Sequence, residues 1–278
     1  MRVYNDVIAS RNNPVVKWAS SLASKKGRDE ARAFLAEGEK LTREALGANL
    51  PVTHVFFLES KYNELMLRMS SFMNKAEYSE LKVYILKDTA FEKISTEKAP
   101  QGVISVIKYL DFFKDMDIIY KEDFFLSSNE RALILDSVRD PGNLGAIVRS
   151  AVAFGTEHII LTSDSADLYN PKTVRSAMGS LFRVKCTVVS DILECVRQIQ
   201  KNNRRVFAAE LSAAAVPLSE ISLNGSDVFI IGNEGHGVSS DLSMICDKSV
   251  FLPISKNTES LNASVAASIF MWEQSKNI

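Results

Sequence analysis

Three short segments in the C-terminal half carry residues whose types and spacing could do chemistry. They read Leu135-Asp-Ser-Val-Arg-Asp-Pro-Gly-Asn-Leu-Gly-Ala-Ile-Val-Arg149, then Ile230-Ile-Gly-Asn-Glu-Gly-His-Gly237, then Leu252-Pro-Ile-Ser-Lys-Asn-Thr-Glu-Ser-Leu-Asn-Ala-Ser264. Each is an apolar run that gives way to Gly, Pro, Asn or Ser, and the first and third then resume an apolar pattern with helical spacing. A glycine-bearing strand-to-helix turn offers free backbone N–H groups to an anion. The spacing Gly142-x-x-Gly145 departs from the G-x-G-x-x-G of dinucleotide-binding turns. A Rossmann reading is therefore weak, although Asp164 after the next strand would suit a ribose contact. Gly232, Gly235 and Gly237 permit positive φ and close approach of the backbone to a ligand. A loop so rich in glycine that also carries Glu234 is a poor spacer and points to function. Ser260 or Asn262 would make a sound N-cap for the last helix.

These loops need strands before them and helices after them. The pattern predicts strands at 132–136, 158–162, 184–189, 206–210, 227–231 and 249–253. Helices fall near 144–154, 171–180, 191–202, 239–245 and 261–275. Such alternation implies an α/β domain with a mostly parallel sheet covered on both faces, and open α/β sheets bind ligands at the carboxyl ends of their strands. The N-terminal part reads as a second, compact α/β module. Residues 14–47 look helical with a break near Gly38, a helix is expected at 63–75, and strands at 52–58, 83–86 and 102–107. The predicted organisation is 1–109 as one domain, 110–128 as a charged and aromatic linker, and 129–278 as the other.

At 278 residues, with 46% hydrophobic and 24% charged residues, the composition is that of an ordinary globular protein. No apolar run approaches the roughly 20 residues that span a bilayer, and the N-terminus lacks a signal-peptide core. Cys186, Cys195 and Cys246 are too far apart for a CxxC pair and fit reduced thiols, hence a cytoplasmic protein. His54, His158 and His236 are scattered, so no metal site is expected. The net charge of −1 gives no sign of a polyanionic partner. Any basic surface must be local, and the first 44 residues lean that way, with nine bases against six acids.

The three segments together resemble the signature motifs of the SpoU (TrmH-like) family of RNA ribose 2′-O-methyltransferases. The N-terminal module resembles the family's substrate-binding domain, a fold related to ribosomal protein L30e, through Ser10-Arg-Asn-Asn-Pro14, Glu37-Gly-Glu-Lys-Leu41 and Gln101-Gly-Val103. The resemblance implies a C-terminal SPOUT domain knotted as a deep trefoil, S-adenosylmethionine as cofactor, and a homodimer. By that resemblance Asn143, Arg149, Glu234, Ser260 and Asn262 form the active site, with Arg149 acting on the target 2′-hydroxyl across the subunit interface. Gly232, Leu252 and Leu261, with Leu211 and Ile254, would line the cofactor pocket. His236 invites assignment as a base, although the resemblance treats that position as variable. The implied substrate is 23S ribosomal RNA. The alternatives are a transfer RNA 2′-O-methyltransferase or a non-catalytic, ribosome-associated RNA-binding protein.

Overall fold

The computed structural model describes residues 1–110, 113–116, 126–127, 130–255, 257–258 and 260–276. They form two compact units, one of residues 1–110 with 167–182, the other of 111–166 with 183–278.

The first unit is built on strands β1 (Arg2–Ile8), β2 (Ala33–Glu37), β3 (Val52–Leu58), β4 (Lys82–Leu86) and β5 (Val103–Lys108). Their order is β1-β4-β3-β5-β2, parallel at β1/β4/β3 and antiparallel at β3/β5/β2. Helices α1 (Pro14–Ser21), α2 (Lys25–Ala31), α3 (Glu39–Gly47), α4 (Tyr62–Met73) and α5 (Asp88–Ile94) complete its first 110 residues. Asn13 caps α1 through its side chain and Pro14 supplies the first turn. Leu35, Phe56, Leu86, Ile104 and Val106 pack one sheet face against Val16, Ala19 and Phe91 of α1 and α5.

Two family-like segments meet here: the Glu39 amide donates to Gln101 Oε1 at 3.1 Å, and a side chain at Gly38 (φ +106°) would collide with that Gln101. Residues 33–37, expected to be helical, are strand β2 instead. The run Ala33-Phe-Leu-Ala36 is buried on both sides, and a short all-apolar run has no period to distinguish strand from helix.

The segment 167–182, expected in the second domain, packs with the first unit. It carries α7 (Pro171–Ala177). Buried Arg28 donates to Asp167, Tyr169 stacks on Tyr109, and the Tyr169 hydroxyl accepts from the Leu110 amide at 2.8 Å. Of the expected linker, Phe113–Met116 forms β6, while 111–112, 117–125 and 128 lie outside the described residues.

The second unit continues with β7 (Ala132–Leu135), α6 (Pro141–Phe154), β8 (His158–Thr162), β9 (Lys185–Val189), α8 (Ile192–Lys201), β10 (Val206–Ala209) and β11 (Val216–Pro217). It ends with β12 (Val228–Ile231), α9 (Ser240–Ile245), β13 (Lys248–Phe251) and α10 (Ala263–Ser275). The sheet order is β11-β13-β10-β12-β7-β8-β9-β6, and every neighbouring pair is parallel. Covered on both faces, its central strands are continuous apolar runs, as in Val228-Phe-Ile-Ile231. One face packs on Cys195, Val196 and Ile199 of α8 and Leu242 of α9. On the other, Phe270 of α10 lies 4.9 Å from the Phe229 ring, and Ser268 of α10 bonds Ser150 of α6 at 2.7 Å.

From β7 the chain winds first towards β8 and β9, and later strands fill the other side. The boundary between β7 and β12 is thus the point where ligands bind in open α/β sheets.

Candidate active site

At that boundary the three loops converge. Asp140 Oδ1 accepts the Asn143 amide at 2.8 Å, and Pro141 supplies the first turn, so α6 starts directly after the β7 loop. Asn143 is thereby fixed one residue beyond Gly142. Asp136, buried at the end of β7, accepts the Ser239 amide at 2.8 Å and ties the β7 loop to the β12 loop. Asn233 Nδ2 adds a second tie, donating to the Ser137 carbonyl at 2.8 Å.

Within the β12 loop, Asn233 and Gly237 exchange two backbone hydrogen bonds of 2.9 Å. A Cβ on Gly232 would stand 2.0 Å from the Gly237 carbonyl carbon, so only glycine fits there. Gly237 has φ +71°, which a side chain would strain. This tight fold leaves Glu234 and His236 exposed.

Asn143 Nδ2 donates to Glu234 Oε1 at 2.8 Å, and Asn262 Nδ2 donates to Asn143 Oδ1 at 2.9 Å. Asn262 Oδ1 accepts the Ser264 and Val265 amides at 2.9 and 3.3 Å and so caps α10. The chemistry fixes every amide orientation. A carboxylate only accepts, so Asn143 must turn its NH₂ to Glu234, its oxygen to Asn262, and Asn262 its own oxygen to the helix. Three loops are thus joined by one directional chain ending on a carboxylate.

Next to this chain lies a cavity of about 760 Å³ at the ends of β10, β12 and β13 and the start of α10. Gly232, Leu252, Leu261, Leu211 and Ile254 all lie in its wall, as do Glu234, His236 and Ser260. Leu211 is 79% exposed, so its side chain contributes little enclosure. The Ser260 side chain is not part of the amide chain; its carbonyl accepts from the Thr258 hydroxyl at 3.2 Å.

Arg149 is elsewhere. Six residues beyond Asn143 on α6, it is about 9 Å further along the axis and about 120° around it. It is exposed, and among the described residues it makes no hydrogen bond or ion pair. Asp164, the ribose candidate of the Rossmann reading, is occupied. It accepts from Arg139 and Ser137 at 2.7 Å and from Thr162 at 2.8 Å, and Arg139 and Ser137 hold its carboxyl down to about 2.

Sequence reasoning overlooked Glu210, which ends β10 and also lines the cavity. Its Oε1 accepts the Ser243 and Ser249 hydroxyls, both at 2.6 Å. The local signal was a lone acid closing an apolar strand. The serines that give it meaning are 33 and 39 residues away.

A model of the SpoU rRNA methylase family matches residues 130–272, half of the chain and all three loops. The chain belongs to the SpoU rRNA methylase family. Residues 13–105 match a second model, the MRM3-like substrate binding domain. The chain is 30% identical over 265 residues to the 23S rRNA (guanosine(2553)-2'-O)-methyltransferase RlmP of Bacillus subtilis, covering 95% of this chain and 97% of that one. It is 28% identical to a 23S rRNA (uridine(2479)-2'-O)-methyltransferase of Streptomyces viridochromogenes, covering 96% and 90%. Among solved structures, an AdoMet-bound rRNA methyltransferase from Sinorhizobium meliloti superposes with a TM-score of 0.80 at 27% identity, over 99% of this chain and 98% of that one. These matches span both units, and the α/β architecture with its parallel sheet is that of the SPOUT methyltransferases.

No metal-binding cluster and no helix long and apolar enough to cross a membrane occur among the described residues.

Proposed function

We propose that this protein transfers a methyl group from S-adenosylmethionine to a ribose 2′-hydroxyl of 23S ribosomal RNA. The observation that carries the reading is the amide chain Asn262–Asn143–Glu234 beside the glycine-walled cavity. A non-catalytic RNA-binding protein would have no use for a directional chain joining three loops to an exposed carboxylate.

The cavity fits the cofactor. Its volume lies in the range of small-molecule sites. Nothing lies within 4 Å of where a Cβ on Gly237 would stand, and that open backbone suits close approach of a ligand. Gly232, Leu252, Leu261, Leu211 and Ile254 would hold the group, and bound there it supplies an electrophilic, sulfonium-borne methyl. The chain's own work is then alignment and charge. Glu234, pinned through one oxygen by Asn143, keeps the other to take up the proton that the ribose hydroxyl loses as its oxygen attacks the methyl group. Arg149 carries a guanidinium, which is a poor base. Its role is to stabilise the developing oxyanion.

Since Arg149 lies around α6 from Glu234, a second copy of the chain supplies it in a homodimer. In this reading the unit of residues 1–110 with 167–182 binds the RNA, and the unit that carries the three loops forms the trefoil-knotted catalytic domain. Free, buried Cys186 and Cys195 and bacterial relatives favour a cytoplasmic enzyme.

The test is transfer of radiolabelled methyl to unmodified ribosomal RNA and transfer RNA, with Arg149→Ala alongside. Label in ribosomal RNA as a single alkali-resistant dinucleotide, lost in the variant, is expected. Label in transfer RNA alone would overturn the substrate. Absence of label and of S-adenosylhomocysteine binding would overturn the reaction.

A further inference from the structure

Glu210 is the group in the cavity that the methyl transfer leaves unused. It sits at the end of β10, with its carboxylate clamped from two elements: Ser243 on α9 and Ser249 on β13 both donate to Oε1. A carboxylate oxygen offers about two acceptor sites, so Oε1 is saturated. Oε2 has no partner among the described residues, and the residue lies in the cavity wall.

A hydroxyl pair whose only effect was to solvate a half-buried acid could be shared between both oxygens. Concentrating both on one oxygen fixes the carboxyl plane and leaves the other oxygen free to accept. Among the described wall residues there is neither Lys nor Arg to answer this charge. The site is built for a ligand that donates hydrogen bonds.

Which part of the ligand it meets follows from the sheet. Glu210 follows β10, and β12 stands between β10 and β7. Strands are about 4.8 Å apart, so Glu210 is roughly 10 Å from the β7 loop that carries Asn143. The reacting sulfonium must lie near Asn143 and Glu234. A group some 4–5 Å short of it, on the way to Glu210, is the ribose of the nucleoside.

We infer that Glu210, clamped by Ser243 and Ser249, recognises the vicinal hydroxyls of the cofactor ribose and selects for an intact nucleoside. This rests on the methyltransferase reading. Two donors about 2–3 Å apart match the two acceptor sites of Oε2. Hydrogen bonds to a charged acceptor are the strong ones. Losing that pair weakens binding by about tenfold or more.

The experiment is calorimetric titration of the full-length protein and of Glu210→Gln and Ser249→Ala with three probes. These are S-adenosylmethionine, S-adenosylhomocysteine and its 2′,3′-dideoxy analogue, with thermal melting as a control for folding. Expected is an equal loss of about tenfold or more for the first two probes in Glu210→Gln, and a smaller loss in Ser249→Ala. The dideoxy analogue should bind weakly to wild type and no more weakly to the variant. Unchanged affinity of the variant for S-adenosylhomocysteine would overturn the assignment. So would a loss confined to S-adenosylmethionine, because that places the carboxylate on the sulfonium. If wild type binds none of the three, the methyltransferase reading itself fails and the assignment goes with it.

Discussion

Asn262 does two jobs that a single substitution separates. Its Oδ1 caps α10, accepting from Ser264 and Val265, while its Nδ2 donates to Asn143. Asn262→Asp keeps the acceptor at the cap and adds negative charge at the positive end of the helix, worth about 0.3–1 kcal/mol in its favour. It removes the donor. Asn143 then has one NH₂ edge for two carboxylates on opposite sides of its amide. If it stays on Glu234, its oxygen faces the new carboxylate oxygen to oxygen across about 2.9 Å. If it flips, Glu234 is released. Either arrangement loses one hydrogen bond and leaves an acceptor facing an acceptor, about 1–3 kcal/mol together.

If the amide chain orients Glu234 in the transition state, that energy comes out of kcat/KM as a loss of about 5- to 150-fold. The melting temperature should hold within a few degrees, because the cap survives. Asn262→Ala loses both jobs, and its melting temperature should fall by roughly 2–4 °C for a cap worth about 1 kcal/mol. The assay is initial-rate methyl transfer with thermal melting and S-adenosylhomocysteine titration on the same preparations. An Asp variant with wild-type kcat/KM would refute the catalytic reading of the chain. An Asp variant that stops binding S-adenosylhomocysteine would move Asn262 from the reaction centre to the cofactor wall.

Arg149→Ala should cut turnover while leaving S-adenosylhomocysteine affinity intact, and mixing it with Glu234→Gln should restore activity through mixed dimers; no restoration in subunit-exchange assays argues for action within one chain. Gly232→Ala places a methyl group 2.0 Å from the Gly237 carbonyl carbon. The loop must then open, at a cost on the order of 3 kcal/mol or more visible in chemical denaturation, and a wild-type midpoint contradicts the tight fold. A pH dependence is expected from Glu130, buried just before β7 at the amino end of the same sheet, where His158 first and then Lys185 and the Ser127 amide hold its carboxyl down at about 2 from 4.5. A depressed carboxyl adds stability above its unfolded value and loses it as pH falls from about 4.5 towards 2. Up to about 3 kcal/mol of acid-sensitive stability should therefore disappear in Glu130→Gln, read from denaturation midpoints between pH 5 and 2.

The loops that carry the site were legible because their signals are local: Pro141, Gly142, Gly232 and Gly237 break apolar runs wherever they stand. The strands of the second unit were legible because burial on both faces leaves uninterrupted Val, Ile, Leu and Phe. What escaped depended on distant partners. β1 is a partly exposed edge strand with Asn5 and Asp6 in it, and its pairing with β4 is 80 residues distant in register, Arg2 on Lys82. The segment 167–182 reads locally as one more helix, and only Arg28 and Tyr109 reveal which unit it packs with. The resemblance groups Asn143, Glu234 and Asn262 in one site but does not say which atoms meet. That Asn143 and Glu234 touch, across 91 residues, and that Asn262 joins them across 119, no spacing rule could give.

The charge distribution explains why a nearly neutral chain can serve this chemistry. The proposed reaction centre consists of two neutral amides and a carboxylate, and the described cavity wall adds Glu210 and His236 but no Lys or Arg. Such a surface suits a cationic cofactor and repels a phosphate backbone. Yet the developing 2′-oxyanion needs a cation, and Arg149, exposed and without a partner among the described residues, points from a different face of α6. The exposed Val265 and Trp272 lie seven residues apart on one face of α10, the helix that packs on α6. In the proposed homodimer, a site that is acidic in each chain would be completed by Arg149 of the partner subunit.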